Sequence, residues 1–259
     1  MILSDLAPAK LDYTMLPDKT IISESVSAHN DLTFNIYEHI ITKFGLQPLS
    51  QDASRFPHDI GKILWVSMYK DNKVHISRNL VKRVYHAQVL RRVLEMRKIC
   101  PLHSKDAILE MLIAEYEANK KISSEFSDLV DPIESQVLAV MALHHELSTS
   151  LATSTLGSPD LLPHAYALLI ADAVSSNLIG SILNKEEPKL FSFDPVLCSL
   201  KVSITNTYIT ILEGVSINDG EVVFTPKEEF ELSHRLNRDA FFVLFPSPRW
   251  SPMRKEHGT

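Results

Sequence analysis

Apolar positions recur at helical spacing through most of the first two thirds of the chain. Leu32, Ile36, Ile40 and Phe44 fall at i, i+4, i+8 and i+12, which predicts a helix from Ser25 to Phe44 with one buried stripe. Ser27 is its expected cap, for a start around His29, and Gly45 with Pro48 just beyond is its stop. A short helix over roughly 50–56 should follow. Ile63 to Tyr69 is apolar and aromatic, and Asp71-Asn72 reads as a turn. Arg78 to Met96 predicts a basic amphipathic helix whose apolar content comes from Leu80, Val84, Leu90, Val93 and Leu94. Cys100-Pro101 ends it, and Ser104 to Asn119 predicts the next helix with Ser104 as N-cap. Lys120 to Asp131 is polar and reads as a loop, and Pro132 to Leu147 is helical straight through His144-His145-Glu146. The Ser/Thr-rich segment 148–158 has no helical pattern. Leu161 to Leu183 is the most apolar helix, interrupted by Asp172 near its middle.

After Asn184 the pattern changes. Lys185-Glu186-Glu187-Pro188-Lys189 reads as a boundary. A β-branched run from Val202 to Leu212 follows, then an Asn218-Asp219-Gly220 hairpin turn and a short strand, Glu221 to Thr225. A helix from Pro226 to about Leu236 and a last strand from Phe241 to Phe245 complete the tail. The expected architecture is therefore mainly α: a helical bundle in residues 1–184, with its core in 25–183, and a small α+β region in 185–259. Residues 1–20, punctuated by Pro8 and Pro17, read as an irregular arm packed on the body.

Composition narrows the class. A chain of 259 residues can bury one sizeable core. The net charge of −6 speaks against broad, non-specific nucleic-acid binding. No apolar run approaches a membrane span and the start lacks a signal-peptide pattern, so the expected location is cytoplasmic with no membrane partner. Two cysteines, Cys100 and Cys198, make neither a disulfide framework nor a thiolate metal site.

The candidate chemistry centres on His58-Asp59-Ile60-Gly61-Lys62. An imidazole and a carboxylate side by side can reach one divalent cation, and a carboxylate has two oxygens with which to bridge a pair. Gly61 permits a turn or close packing, and Lys62 places a cation where a phosphate could sit. The competing explanation is a solvated His-Asp pair at a helix end. Asp172 lies in a buried-looking helix, where a lone carboxylate is costly and is normally paired or metal-bound. Of His144 and His145, one is expected to face inward and the other solvent; His86 is an isolated candidate on the basic helix. His75, His103, His164, His234 and His257 read as ordinary core or surface residues. The basic residues Lys82, Arg83, Arg91, Arg92, Arg97 and Lys98 form either a phosphate-contacting or a merely solvated face.

In order and spacing these residues resemble the HD superfamily of metal-dependent phosphohydrolases, an all-helical fold. That family uses a first His on a helix, a His-Asp pair and a distant Asp on a late helix. His29, 29 residues before His58, suits the first position. His39 competes for it, but lies about 280° further round the same helix, so the two do not share a face. Within the superfamily the chain is similar to HD-GYP domains, the cyclic-dinucleotide phosphodiesterases, over roughly residues 25–183. His-Asp-x-Gly-Lys matches 58–62, a following His matches His86, His-His-Glu matches 144–146 and the final Asp matches Asp172. The Gly-Tyr-Pro motif is missing after Glu146.

The resemblance implies a hydrolase binding two divalent metals, manganese or iron(II). Their ligands would be His29, His58, Asp59, His86, His144 or His145, and Asp172, with Asp59 bridging. Asp59 and Lys62 would be the catalytic residues, and the substrate a phosphodiester or nucleotide. HD nucleases share the ligand order, which makes single-stranded nucleic acid an alternative substrate. A non-catalytic signalling protein on the same fold is the third expectation, and the oligomeric state stays open. The small, non-aromatic loop Leu147 to Pro159 predicts weak or no activity on cyclic-di-GMP.

Overall fold

The computed structural model describes residues 7, 9, 14–15, 21–43, 45–50, 56–77, 80–96, 98, 106–145, 159–184, 198–202, 207–218, 221–232 and 240–244. The described residues are mainly helical, as expected. The α-helices are α1 (Val26–Lys43), α2 (Leu80–Met96), α3 (Ala107–Ala118), α4 (Lys120–Val130), α5 (Ser135–Met141) and α6 (Leu162–Asn184). Short 3-10 helices span Ile60–Trp65 and Pro159–Leu161. The strands are β1 (Thr14–Met15), β2 (Ile21–Ser23), β3 (Val66–Lys70), β4 (Lys73–Ser77), β5 (Cys198–Val202), β6 (Thr207–Asn218), β7 (Glu221–Leu232) and β8 (Ala240–Leu244).

The stripe Leu32, Ile36 and Ile40 is buried on α1, joined by Tyr37 and Ile41, and it packs in the central core with α6 residues such as Leu168 and Ala171. The cap is Ser25 rather than Ser27: its hydroxyl accepts from the Ala28 amide at 3.1 Å, so the cap lies two residues earlier than expected and the helix starts at Val26. The stop is as expected. Gly45 has φ +69, its amide donates to the Thr42 carbonyl at 3.0 Å and that of Leu46 to Ile41 at 2.9 Å, a left-handed cap that returns Leu46 to the core. Tyr37 then stacks on Phe56 with ring centroids 4.9 Å apart, fixing α1 against the segment that carries His58 and Asp59. The helix expected over 50–56 and the cap expected at Ser104 lie, bar Ser50 and Phe56, outside the described residues. Asp106 caps α3, accepting from Ile108 and Leu109 amides at 2.9 and 3.3 Å.

Four expectations need correction. Lys120–Val130 is a helix, not a loop. Ile122, Phe126 and Val130 fall at i, i+4 and i+8 and are buried, while Asn119 caps the start; the surrounding Lys and Ser residues hid a narrow stripe. The helix expected from Pro132 to Leu147 is α5 alone, and its last turn tightens, with the amides of Leu143 and His144 donating to Val140 and Met141. The helix expected from Pro226 is a continuation of β7, whose described end is Leu232. Pro226 pairs with Leu212 beside a register shift, beyond the last β4 partner Phe224, where its missing N–H costs the ladder little.

The fourth correction concerns the tail as a whole. Its described residues are all strand, and its β6–β7 hairpin is no separate appendage. It sits inside a six-stranded antiparallel sheet of order β1-β2-β6-β7-β4-β3, between strands from the first half of the chain; β5 and β8 pair apart. The β3–β4 hairpin turns at Asp71-Asn72, both with positive φ (53° and 61°), as its two-residue connection requires. No described helix is long and apolar enough to cross a membrane.

Candidate metal centre

The segment before the 3-10 helix is a tight turn. The His58 amide donates to Phe56 at 2.8 Å, Ile60 to Pro57 at 3.0 Å and Lys62 to Asp59 at 2.8 Å. The Asp59 amide is spent on the Asn30 side chain of α1, at 3.2 Å, next to His29. Gly61 has a steric reason: a Cβ there would lie 2.1 Å from the His86 carbonyl oxygen, so only glycine lets the 3-10 helix rest on α2 at His86. Trp65 closes the same contact edge-on to the His86 ring, at 5.9 Å. On the other side Thr33 and Ser175 bond through their hydroxyls at 2.7 Å, and Ser175 Oγ donates to the Asp172 carbonyl at 2.9 Å. These bonds clip α6 to α1 beside Asp172.

The turn, α1, α2, α6 and the end of α5 thereby bring every expected ligand together. Asp59 lies at the middle, and its two oxygens face different neighbours. Oδ2 is 3.5 Å from His29 Nε2 and 3.8 Å from His58 Nε2, and the Lys62 ammonium contacts it directly. Oδ1 is 3.2 Å from His86 Nε2 and 3.3 Å from His144 Nε2. Asp172 Oδ1 lies 3.0 Å from His29 Nε2 and 3.5 Å from His58 Nε2, and its Oδ2 lies 3.6 Å from His145 Nδ1. Two groups of four result, sharing Asp59: His29, His58, Asp59 and Asp172, and Asp59, His86, His144 and His145. In each, one donor atom per residue lies within 4.8 Å of all the others.

Donors this close can converge on a cation at the roughly 2 Å distances that nitrogen and oxygen ligands need. The protein also leaves their binding atoms uncommitted. His58 Nδ1 and Nε2, Asp59 Oδ1 and His144 Nε2 are buried without a hydrogen-bond partner, an arrangement that is costly unless something polar fills it. Imidazole and carboxylate donors together suit a divalent transition metal. The cluster can therefore hold a metal ion.

The carboxylates and His58 are in the states that ligands need, whereas His29 must give up a proton to a cation. Burial opposes ionisation of Asp59, but the Lys62 ammonium and His58 hold its carboxyl well below the usual range. Burial likewise opposes ionisation of Asp172, and the hydrogen bond from His29, with the His58 ring close by, holds it low. Burial pushes His58 down to about 4, so the ring is neutral, as a ligand must be. Burial would lower His29 too, but Glu24 and Asp172 outweigh it and carry the ring up to about 10.

His39 is exposed, about 80° round α1 from the fully buried His29. As expected, one of the His144 and His145 pair faces inward and the other reaches solvent, yet both rings stay at the cluster. In the turn after α5 their rings lie 4.0 Å apart; His144 is buried, and His145, with its side chain 48 % exposed, still places Nε2 3.0 Å from His86 Nε2. A continuing helix would have swung them about 100° apart.

His164 is a core residue bonded to the Tyr37 hydroxyl at 2.8 Å, and His75 lies in β4; His103, His234 and His257 fall outside the described residues. On the basic helix, Arg92 is committed to Glu95 at 3.1 Å and to Glu110 at 2.8 Å, while the side chains of Lys82, Arg83 and Arg97 lie outside the described residues, as does the loop 146–158. Sequence reasoning missed Glu24 and Asn30. Glu24 Oε2 lies 3.2 Å from His29 Nδ1, yet Glu24 precedes α1, so helical spacing gave no signal for it. No protein-family model matches the chain, and no curated protein or solved structure matches it.

Proposed function

We propose that this protein is a metal-dependent phosphohydrolase of HD type that cleaves phosphodiesters, using two divalent cations, manganese or iron(II). The observation that carries the reading is the division of Asp59: one oxygen faces His29 and His58, the other His86 and His144. Asp59 so placed would help hold one cation on each side, and such a pair would supply the chemistry that in-line displacement at phosphorus exploits. When bound, the cations supply Lewis acidity and a water nucleophile at neutral pH.

The chain's own residues do the rest. Asp59 and Asp172 hold negative charge in a buried site and so set the affinity for cations over neutral ligands. Lys62, held against Asp59 and 5.6 Å from the Trp65 ring centroid, neutralises charge developing on the phosphoryl oxygens. The half-exposed His145 marks the side on which a phosphodiester enters. The sequence after Glu146 has neither Gly-Tyr-Pro nor any aromatic residue up to Pro159, so it offers no ring to stack a guanine. The substrate we propose is accordingly a nucleotide-type or other flexible phosphodiester rather than cyclic-di-GMP.

The test is hydrolysis of bis-p-nitrophenyl phosphate, single-stranded DNA and cyclic dinucleotides with added manganese or iron(II). Turnover of a generic phosphodiester, lost in Asp59→Ala and with little cyclic-di-GMP cleavage, is the expected result. Efficient cyclic-di-GMP hydrolysis at micromolar substrate would overturn the specificity. No turnover of any of them by metal-loaded protein would leave a non-catalytic metal protein in its place.

A further inference from the structure

We infer that Glu24 is a positioning residue that makes the two halves of the cluster unequal, so that the half built on His29, His58 and Asp172 binds its cation more tightly and fills first. This inference rests on the two-cation reading above and adds an order of occupancy to it. Glu24 sits between β2 and α1 with its side chain only 2 % exposed. Its backbone is clamped: the Ala9 amide donates to the Glu24 carbonyl, and the Val26 amide to Ala7, both at 2.8 Å. Its Oε1 is buried without a hydrogen-bond partner among the described residues, and Oε2 takes the Nδ1 side of His29 at 3.2 Å.

In the free protein Nε2 donates to Asp172 Oδ1 at 3.0 Å; when a cation takes the place of that proton, the carboxylate on Nδ1 keeps the other proton there, leaves Nε2 to the cation and strengthens the ring as a donor. The counterpart in the other half is weaker. His144 gives its Nδ1 proton to the Met141 carbonyl, at 2.7 Å, a neutral acceptor. The first half thus gathers Glu24, Asp172 and the shared Asp59, whereas the second has Asp59 and, further off, Asp172 Oδ2 at 3.6 Å from His145. Lys62 subtracts from the first half by its contact with Asp59 Oδ2, but one ammonium does not cancel three carboxylates. Solvent adds to the difference. All four residues of the first group are buried, while the second ends in His145, where water screens and competes.

The experiment is calorimetric titration of chelator-stripped protein with manganese, in the native chain and in Glu24→Gln, Glu24→Asp and His145→Ala. Two classes of site are expected in the native chain. Glu24→Gln should weaken the tighter class by about 10–100-fold and leave the weaker class in place, with an unchanged circular dichroism spectrum. Glu24→Asp, which keeps the charge, should recover part of the loss. His145→Ala, which leaves Glu24 untouched and so decides the matter even if the Glu24 variants fail to fold, should remove only the weaker class. A tighter class unmoved by Glu24→Gln, equal weakening of both, two indistinguishable sites in the native chain, or loss of the tighter class in His145→Ala would each overturn the inference while leaving metal binding intact. A native chain that binds no manganese would remove the two-cation reading and this inference with it.

Discussion

His29 and His39 share a helix and a side-chain chemistry, and only their angular position separates them. Ten residues place His39 in solvent while His29 lies against Asp59, Asp172 and Glu24. His29→Ala should therefore lose metal, and His39→Ala should keep it at the native level, by elemental analysis of purified protein. A loss confined to His39→Ala would reverse the assignment.

Proton linkage gives a second expectation at this scale. His58 falls from 6.5 to about 4 on folding because it is buried, so its contribution to stability is present above pH 6.5 and is lost as pH falls toward 4. Asp59 and Asp172, also held low, act in the same direction at lower pH. His29, with burial outweighed by Glu24 and raised to about 10, contributes fully below pH 6.5 and loses its contribution as pH rises through 10. Chelator-treated protein should thus have its highest Tm near neutrality and lower values at pH 4.5 and pH 10; a Tm that climbs steadily from one extreme to the other would contradict these protonation states. The first-row residues were legible in the sequence because His-Asp, His-His and a mid-helix Asp are unusual in apolar surroundings. Glu24 was not, because a glutamate ahead of a helix cap is ordinary.

Elements were legible where the buried face was wide. The stripe on α1 and the apolar run of α6 are of that kind. On α4 only Ile122, Phe126 and Val130 are fully buried, too thin a stripe to stand out from eleven residues rich in Lys and Ser. Removing its cap, Asn119→Ala, should cost about 1 kcal/mol in chemical denaturation. Gly61 tests how elements meet. Gly61→Ala must move either the 3-10 helix or α2, since the added carbon would stand 2.1 Å from the His86 carbonyl. We expect about 1–3 kcal/mol of lost stability together with weakened metal retention, because the atom displaced belongs to His86, a member of the cluster that could hold a metal ion. An alanine variant with native stability and metal content would show that this contact is not needed.

At the scale of the molecule, pattern reasoning reached the mainly helical class but not the sheet. Strand pairing between β2, β6, β7 and β4 joins positions far apart in sequence, and no local period records it. The tail's change of composition after Asn184 therefore suggested a separable region, whereas its hairpin fills the middle of a sheet. A chain ended at Asn184 would leave β2 and β4 with open edges. It should be less stable and more prone to association than the full chain, as read by Tm and size-exclusion chromatography; a monomeric product of native Tm would restore the two-part description.

The central claim is that one carboxylate organises a metal centre, and metal content tests it most directly. Anaerobically purified native protein, reloaded with manganese and desalted, should retain about two ions per chain, as expected of a two-metal site. Asp59→Ala, measured beside it and checked for native helix content, should retain almost none. Full occupancy in Asp59→Ala would contradict the account.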